Sequence, residues 1–316
     1  VKKGAFTHMN ELFAPLLSVI RAKDLKEAIE LVNATGYGLT AGFESLDERE
    51  WEYFHTHIEA GNIYINKPTT GAIVLRQPFG GVKKSAIGFG RKVGIYNYIT
   101  QFMDIEAKAD TNLLDSPLAS ALEKLSKASD ESTQATLANA ALMAKSYAYH
   151  YKHEFSVARD YVNIRGEDNL FSYTRIKNLA FRACEQDSLQ DILGVIIGCH
   201  TLGLSPLVSY DSVQSSIIKE LKKICKAVDL GVDFVEENEE QFIAKISKFE
   251  RIRYHAKADK NSPLYQAAAK EAKIIIRDKP LLNGRFELLF YHNEKALSVS
   301  YHRYGNLGIR ALKNSQ

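Results

Sequence analysis

The chain has 316 residues, 45% hydrophobic and 25% charged, which is enough for two domains with separate cores. A net charge of +3 without a basic stripe interleaved with aromatics leaves nucleic-acid binding no electrostatic footprint. No apolar run approaches the roughly 20 residues that cross a bilayer, so a soluble protein is expected.

Cys184, Cys199 and Cys225 are odd in number and lack close metal-ligand spacing. That pattern points to reduced thiols in a cytoplasmic compartment rather than a disulfide framework. The opening Val1-Lys2-Lys3 carries neither an initiator Met nor a signal-peptide pattern, and reads as a piece of something longer.

In chain order, Glu11-Leu12-Phe13-Ala14-Pro15 is a turn into the β-compatible run Leu16 to Ile20. Asp24 with Glu27 is a capping pattern, and Leu25, Ala28, Ile29 and Val32 recur at helical spacing until Gly36. Ala41 to Ser45 predicts a short strand, and Asp47 with Glu50 starts a helix that places Trp51, Phe54 and Ile58 on one side. His55 and His57 point to different faces of that helix, so no metal is assigned there.

Asn62 to Asn66 alternates polar and apolar, the period of a strand with one buried face. The segment Lys67-Pro68-Thr69-Thr70-Gly71-Ala72 then offers small side chains and accessible backbone N–H groups, which suit an anion such as a carboxylate. Gln77-Pro78-Phe79-Gly80-Gly81 fixes one torsion with proline and frees two with glycine, presenting Phe79 as a pocket wall. An ordinary surface connection is the competing reading. The run Gly88 to Gly94 approximates a dinucleotide fingerprint but has one residue too many before its last glycine.

Residues 107–158 are rich in Ala, Ser, Leu and Lys and read as a helical bridge, with Ser116-Pro117 capping its first helix. His150 and His153 stand three apart without an evident carboxylate partner, which favours a solvated face. From 159 to 316, β-rich runs (177–183, 206–210, 232–235, 251–254, 273–276) alternate with helical ones (189–202, 212–228, 239–248, 264–272). Such alternation predicts βαβ units and a mostly parallel, Rossmann-like sheet. The turn Cys184-Glu185-Gln186-Asp187-Ser188 has no glycine for close approach of a pyrophosphate, so this domain is expected to lack a dinucleotide site. Phe286 to Phe290 and Ala296 to Tyr301 are expected to form a terminal β pair.

The order Gly61-Asn62, Asn66, Pro78-Phe79-Gly80-Gly81, Lys83, Ser85, Gly88 resembles the C-terminal part of the aldehyde dehydrogenase superfamily. The insert Thr69-Thr70-Gly71-Ala72-Ile73-Val74 with Arg76-Gln77 is similar to the delta-1-pyrroline-5-carboxylate dehydrogenase branch, including the dehydrogenase half of proline utilisation A. The resemblance covers about Glu11 to Phe102. It implies an α/β chain in which residues 1–106 are the C-terminal part of an aldehyde dehydrogenase domain.

By that likeness Glu11 and Phe13, in a motif with Ala14 where the family usually has Gly, contact NAD. Gly71 and Ala72 hold the α-carboxylate of L-glutamate γ-semialdehyde, and Phe79 walls the aldehyde tunnel. The family's Gly-Gln-x-Cys nucleophile motif occurs nowhere in this sequence, so no catalytic residue is assigned and the chain alone is expected to be inactive. The implied partners are the N-terminal remainder of the same enzyme and further copies in a homo-oligomer. FAD would belong only to a possible upstream proline dehydrogenase domain. The tail from His302 to Gly308 resembles the closing segment of the long forms of proline utilisation A. Two other readings stay open: a non-catalytic lid or oligomerisation module, and an independent small-ligand domain over residues 161–316.

Overall fold

The structure is a computed structural model that describes residues 1–106, 109–257, 259 and 261–301. The expectation for 302–308 lies outside the described residues. The strands are β1 (Thr40–Phe43), β2 (Asn62–Ile65), β3 (Arg159–Asp160), β4 (Glu167–Arg175), β5 (Leu179–Arg182), β6 (Leu207–Tyr210), β7 (Asp233–Glu236), β8 (Arg251–Arg253), β9 (Ile274–Ile276) and β10 (His292–Ser300). The chain divides into two compact units. One is Val1–Met103, Ala158–Tyr173 and Asn293–Gln316; the other is Asp104–Val157 and Thr174–His292.

The first unit is built on a sheet of order β1-β2-β10-β4-β3. Both neighbours of β2 run parallel to it, with Ile63 opposite Ala41 on one side and Leu297 on the other. The helices Leu25–Ala34 and Glu48–His57 form where the capping residues place them. Asp24 accepts from the Glu27 N–H and Asp47 from the Arg49 N–H. Their apolar faces bring Ile29, Phe54 and Ile58 onto Ile63, Ile65, Leu297 and Val299. Each such fully buried side chain contributes on the order of 1.5–3 kcal/mol.

The second unit carries a five-stranded parallel sheet of order β7-β6-β5-β8-β9. Counted within that unit the order is third, second, first, fourth, fifth, the doubly wound arrangement of Rossmann-like domains. The alternation read from the sequence therefore corresponds to a parallel α/β domain. The segment read as a bridge forms the helices Pro117–Lys127 and Glu131–His150, which pack on each other. The longer one also packs on Leu189–Thr201, so in this fold the pair belongs to the second unit.

Three local expectations are corrected. Leu16 to Ile20 forms no strand, because no sheet edge among the described residues pairs with it. β2 is buried on both faces rather than one. Phe286 to Phe290 is helical, in Gly284–Glu287 and the turn Leu288–Tyr291, so β10 has no β partner there. Instead β10 lies between β2 and β4, and β4 was not anticipated as a strand.

Candidate functional site

The glycine-and-proline stretch is held by the two asparagines that frame β2. Asn62, 1% exposed, donates from Nδ2 to the Pro78 carbonyl (2.9 Å), and its Oδ1 accepts from the Gly80 N–H (3.1 Å) and Lys92 Nζ (3.0 Å). One side chain thus satisfies both sides of the Phe79 turn. Asn66 adopts φ +55 and turns the chain out of β2, its amide bonding the Ser45 N–H (2.9 Å) and carbonyl (2.8 Å). Asparagine tolerates that left-handed backbone better than most residues.

Gly61 follows from the same crowding. A Cβ there would stand 1.9 Å from the Gly80 carbonyl oxygen, so only glycine lets the turn close on β2. Phe79 exchanges both backbone hydrogen bonds with Val93 (2.9 and 2.8 Å), and the next residue, Gly94, accepts from the Leu75 N–H (3.0 Å). Residues 93–94 therefore fasten the two sides of the loop. Phe79 is left 38% exposed on this rigid turn.

Gly71 sits at φ +78, and Gly71 and Ala72 are exposed. Neither N–H is used by a hydrogen bond among the described residues. Glu11 is exposed and Phe13 fully so, at 100%. Each of these five side chains or backbone groups belongs to the first unit and stands at its surface.

Sequence reasoning missed the buried charges beneath the turn. Lys92 is fully buried, donates to the Gly80 carbonyl (2.5 Å) and is pulled down to about 7 by burial, against the opposing effect of Glu294. Glu294, on β10, accepts from the Lys92 N–H (2.8 Å) and Asn97 Nδ2 (2.9 Å) and lies 3.6 Å from Arg91. Lys92 carries no sequence signal for burial, because the groups that enclose it, on Gly80, Asn62 and Glu294, lie 12, 30 and 202 residues away.

In the second unit two backbone donors at the turn after β5 are already engaged by carboxylates. Asp187 Oδ2 accepts from the Cys184 N–H (2.7 Å) and Asp191 Oδ2 from the Ser188 N–H (2.9 Å), the latter as half of a capping box. A cavity of about 340 Å³ lies at the ends of β5 and β6, where Arg182 is tied to Asp211 (2.6 Å), Ser209 (2.9 Å) and the Glu237 carbonyl (2.9 Å).

Burial pushes the thiols up, Cys184 to about 11, Cys225 to about 12 and Cys199 further, the opposite of an activated nucleophile. His150 is buried and bonded through Nε2 to Asp110 Oδ2 (2.7 Å), which corrects the expectation of a solvated face; the carboxylate partner lies 40 residues earlier. Among the described residues no three His, Cys, Asp or Glu side chains gather as a metal site. No helix there is long and apolar enough to cross a membrane.

Residues 1–107 match the model of the aldehyde dehydrogenase family. Over 84 residues the chain is 49% identical to a 2,5-dioxopentanoate dehydrogenase of Saccharolobus solfataricus, covering 27% of this chain and 17% of that protein. Over 94 residues it is 37% identical to a 1-pyrroline-5-carboxylate dehydrogenase of Staphylococcus epidermidis, covering 30% and 18%. The chain thus spans less than a fifth of the length of these curated relatives. The solved structure of proline utilization A from Corynebacterium freiburgense superposes with a TM-score of 0.70 at 30% identity, over 96% of this chain and 27% of that one. The chain therefore carries an aldehyde dehydrogenase family segment in residues 1–107 and, over nearly all its length, folds like part of a proline utilization A enzyme.

Proposed function

We propose that the chain is part of an NAD-dependent dehydrogenase that oxidises L-glutamate γ-semialdehyde, the open form of delta-1-pyrroline-5-carboxylate, in the cytoplasmic breakdown of proline. The observation that carries this reading is the loop from Lys67 to Gly80. It offers two backbone N–H groups, at Gly71 and Ala72, that have no partner among the described residues, and then Phe79 on a turn pinned by Val93 and Asn62. Backbone donors beside a left-handed glycine form a concavity suited to a carboxylate. Both curated relatives described above are named for substrates that carry one.

In this reading the loop N–H groups hold the α-carboxylate, and Phe79 walls the path of the aldehyde carbon. Glu11 and Phe13 fit an NAD contact, since a carboxylate can accept from ribose hydroxyls and a fully exposed ring offers a face to pack on. NAD, when bound, supplies the hydride acceptor. Aldehyde oxidation also needs a thiolate nucleophile. The three thiols here are held protonated by burial, so that group comes from the N-terminal remainder of the enzyme and the chain alone is inactive.

The exposed sequence Leu12, Phe13, Leu16, Leu17 and Val19 supports such a partner, because apolar surface of that kind marks contact with another polypeptide. Further copies of the enzyme in a homo-oligomer are a second claimant to it. In the same reading FAD is assigned to an upstream proline dehydrogenase domain and not to this chain. The test is the complete enzyme carrying Phe79→Ala. Its kcat/KM for the semialdehyde should fall about tenfold, equivalent to about 1.4 kcal/mol. An unchanged value removes Phe79 from the pocket.

A second reading concerns the second unit alone. In the turn between its first strand and the following helix, the Cys184 and Ser188 N–H groups are taken by Asp187 and Asp191, which favours a non-catalytic lid or oligomerisation module over a nucleotide-binding domain. Added NAD should leave the amide resonances of Cys184 and Ser188 in place. Selective shifts there would make the unit a ligand-binding domain.

A further inference from the structure

The loop read above as the carboxylate holder is fixed at both ends by residues that lie beyond the family segment. At its start, Lys67 Nζ donates to Glu167 Oε1 (2.9 Å) and to Ser298 Oγ (2.9 Å). At its end, Arg76 Nη2 donates to Glu167 Oε2 (2.6 Å), and Gln77 Nε2 donates to Asn169 Oδ1 (2.8 Å) and Ser298 Oγ (3.1 Å). Asn169 and Ser298 are joined to each other (2.8 Å), and both are 1% exposed. Gln77, 3% exposed, also accepts through Oε1 from the Ile73 N–H (3.2 Å). The network therefore reaches the residue next to Ala72.

Glu167 and Asn169 stand on β4 and Ser298 on β10, whereas the family match ends at residue 107. All of them belong to the same compact unit as the loop. Both cations that flank the loop share one carboxylate, which lowers Glu167 to about 2 because the hydrogen bonds from Lys67 and Arg76 outweigh the effect of its burial. Buried polar networks of this kind specify one arrangement because each broken partner leaves another unsatisfied.

We propose that Asn169 and Ser298 are positioning residues that set the specificity of the loop for an aldehyde bearing a carboxylate. They do not touch substrate. They hold Gln77, and through it Ile73, so that the N–H groups of Gly71 and Ala72 converge on one anion. The inference rests on the substrate reading above, and the following experiment separates the two.

Ser298→Ala, Ser298→Thr and Asn169→Ala are compared in the complete enzyme with glutamate semialdehyde and with propanal, which has no carboxylate. The Ala variants should raise KM for the semialdehyde about tenfold, with kcat within about twofold and propanal kinetics unchanged. Ser298→Thr, which keeps the hydroxyl, should stay near the parent. In the chain itself, amide exchange at Ile73, Leu75, Arg76 and Gln77 should quicken about tenfold in the Ala variants, while Ile63 and Ile65 keep their protection. Equal loss with both aldehydes, or unaltered exchange in the loop, overturns the proposal. If the parent enzyme fails to oxidise the semialdehyde, the substrate reading falls, and loop exchange alone then decides whether these residues position it.

Discussion

Lys92 shows how much of this loop depends on a single buried group. Its ammonium is fully buried against the Gly80 carbonyl and Asn62, and burial brings it from 10.5 down to about 7. In the unfolded chain the same lysine titrates near 10.5, so between about pH 7 and pH 10.5 the unfolded state holds the extra proton. The stability attributable to Lys92 must then rise with pH across that window and stay level below it. The measurement is the Tm of the parent minus that of Lys92→Met, from about pH 6.5 to about pH 9.5. A difference that stays level across that range would show that Lys92 is charged throughout in the folded chain as well. None of this could be read from Arg91-Lys92-Val93, since lysine is ordinarily a surface residue.

At the scale of elements, the Phe79 turn and β2 constrain one another through glycine. Gly61→Ala would drive its Cβ into the Gly80 carbonyl, so the turn or the strand end must move. Overpacking against backbone costs on the order of 1–3 kcal/mol. The urea midpoint should fall accordingly with an unchanged slope, and an unaltered midpoint would mean that the turn shifts freely. Helices were legible because their caps are local: Asp24, Asp47, Ser116 and Ser188 each bond an N–H two or three residues ahead. Strand β4 was not legible. Its sequence, Glu-Asp-Asn-Leu-Phe-Ser-Tyr-Thr-Arg, turns Glu167 and Asn169 toward a buried polar network, so the apolar alternation that marks a strand is weak.

For the molecule as a whole, the decisive feature is that β10 lies inside the first sheet, more than 225 residues beyond its parallel neighbour β2. Ala296, Leu297, Ser298 and Val299 are all buried there. A chain ending at Tyr291 should lose amide protection at Ile63 and Ile65, because β2 would become an edge and the core shared with Leu297 and Val299 would open. Retained protection at those two amides would show that β10 is an accessory to the sheet. By the same placement, a deletion from Ala296 onward would disturb the first unit's sheet before it tested any lid.

What the sequence determined by itself was local or repeated. The capped helices, the alternation that becomes the sheet β7-β6-β5-β8-β9, and the Gly61 to Gly90 stretch all follow from spacing within about thirty residues. The conformational demands of glycine, proline and asparagine are satisfied or violated by their immediate neighbours, which is why that stretch was readable. What only the tertiary structure decided was pairing across long separations. It placed β10 between β2 and β4, put Asp110 on His150, and closed Glu167, Asn169, Glu294 and Ser298 around the loop. A hydrogen bond between residues 40 or more positions apart leaves no periodicity in the chain; the residue types permit it, and only the folded backbone brings the two groups together.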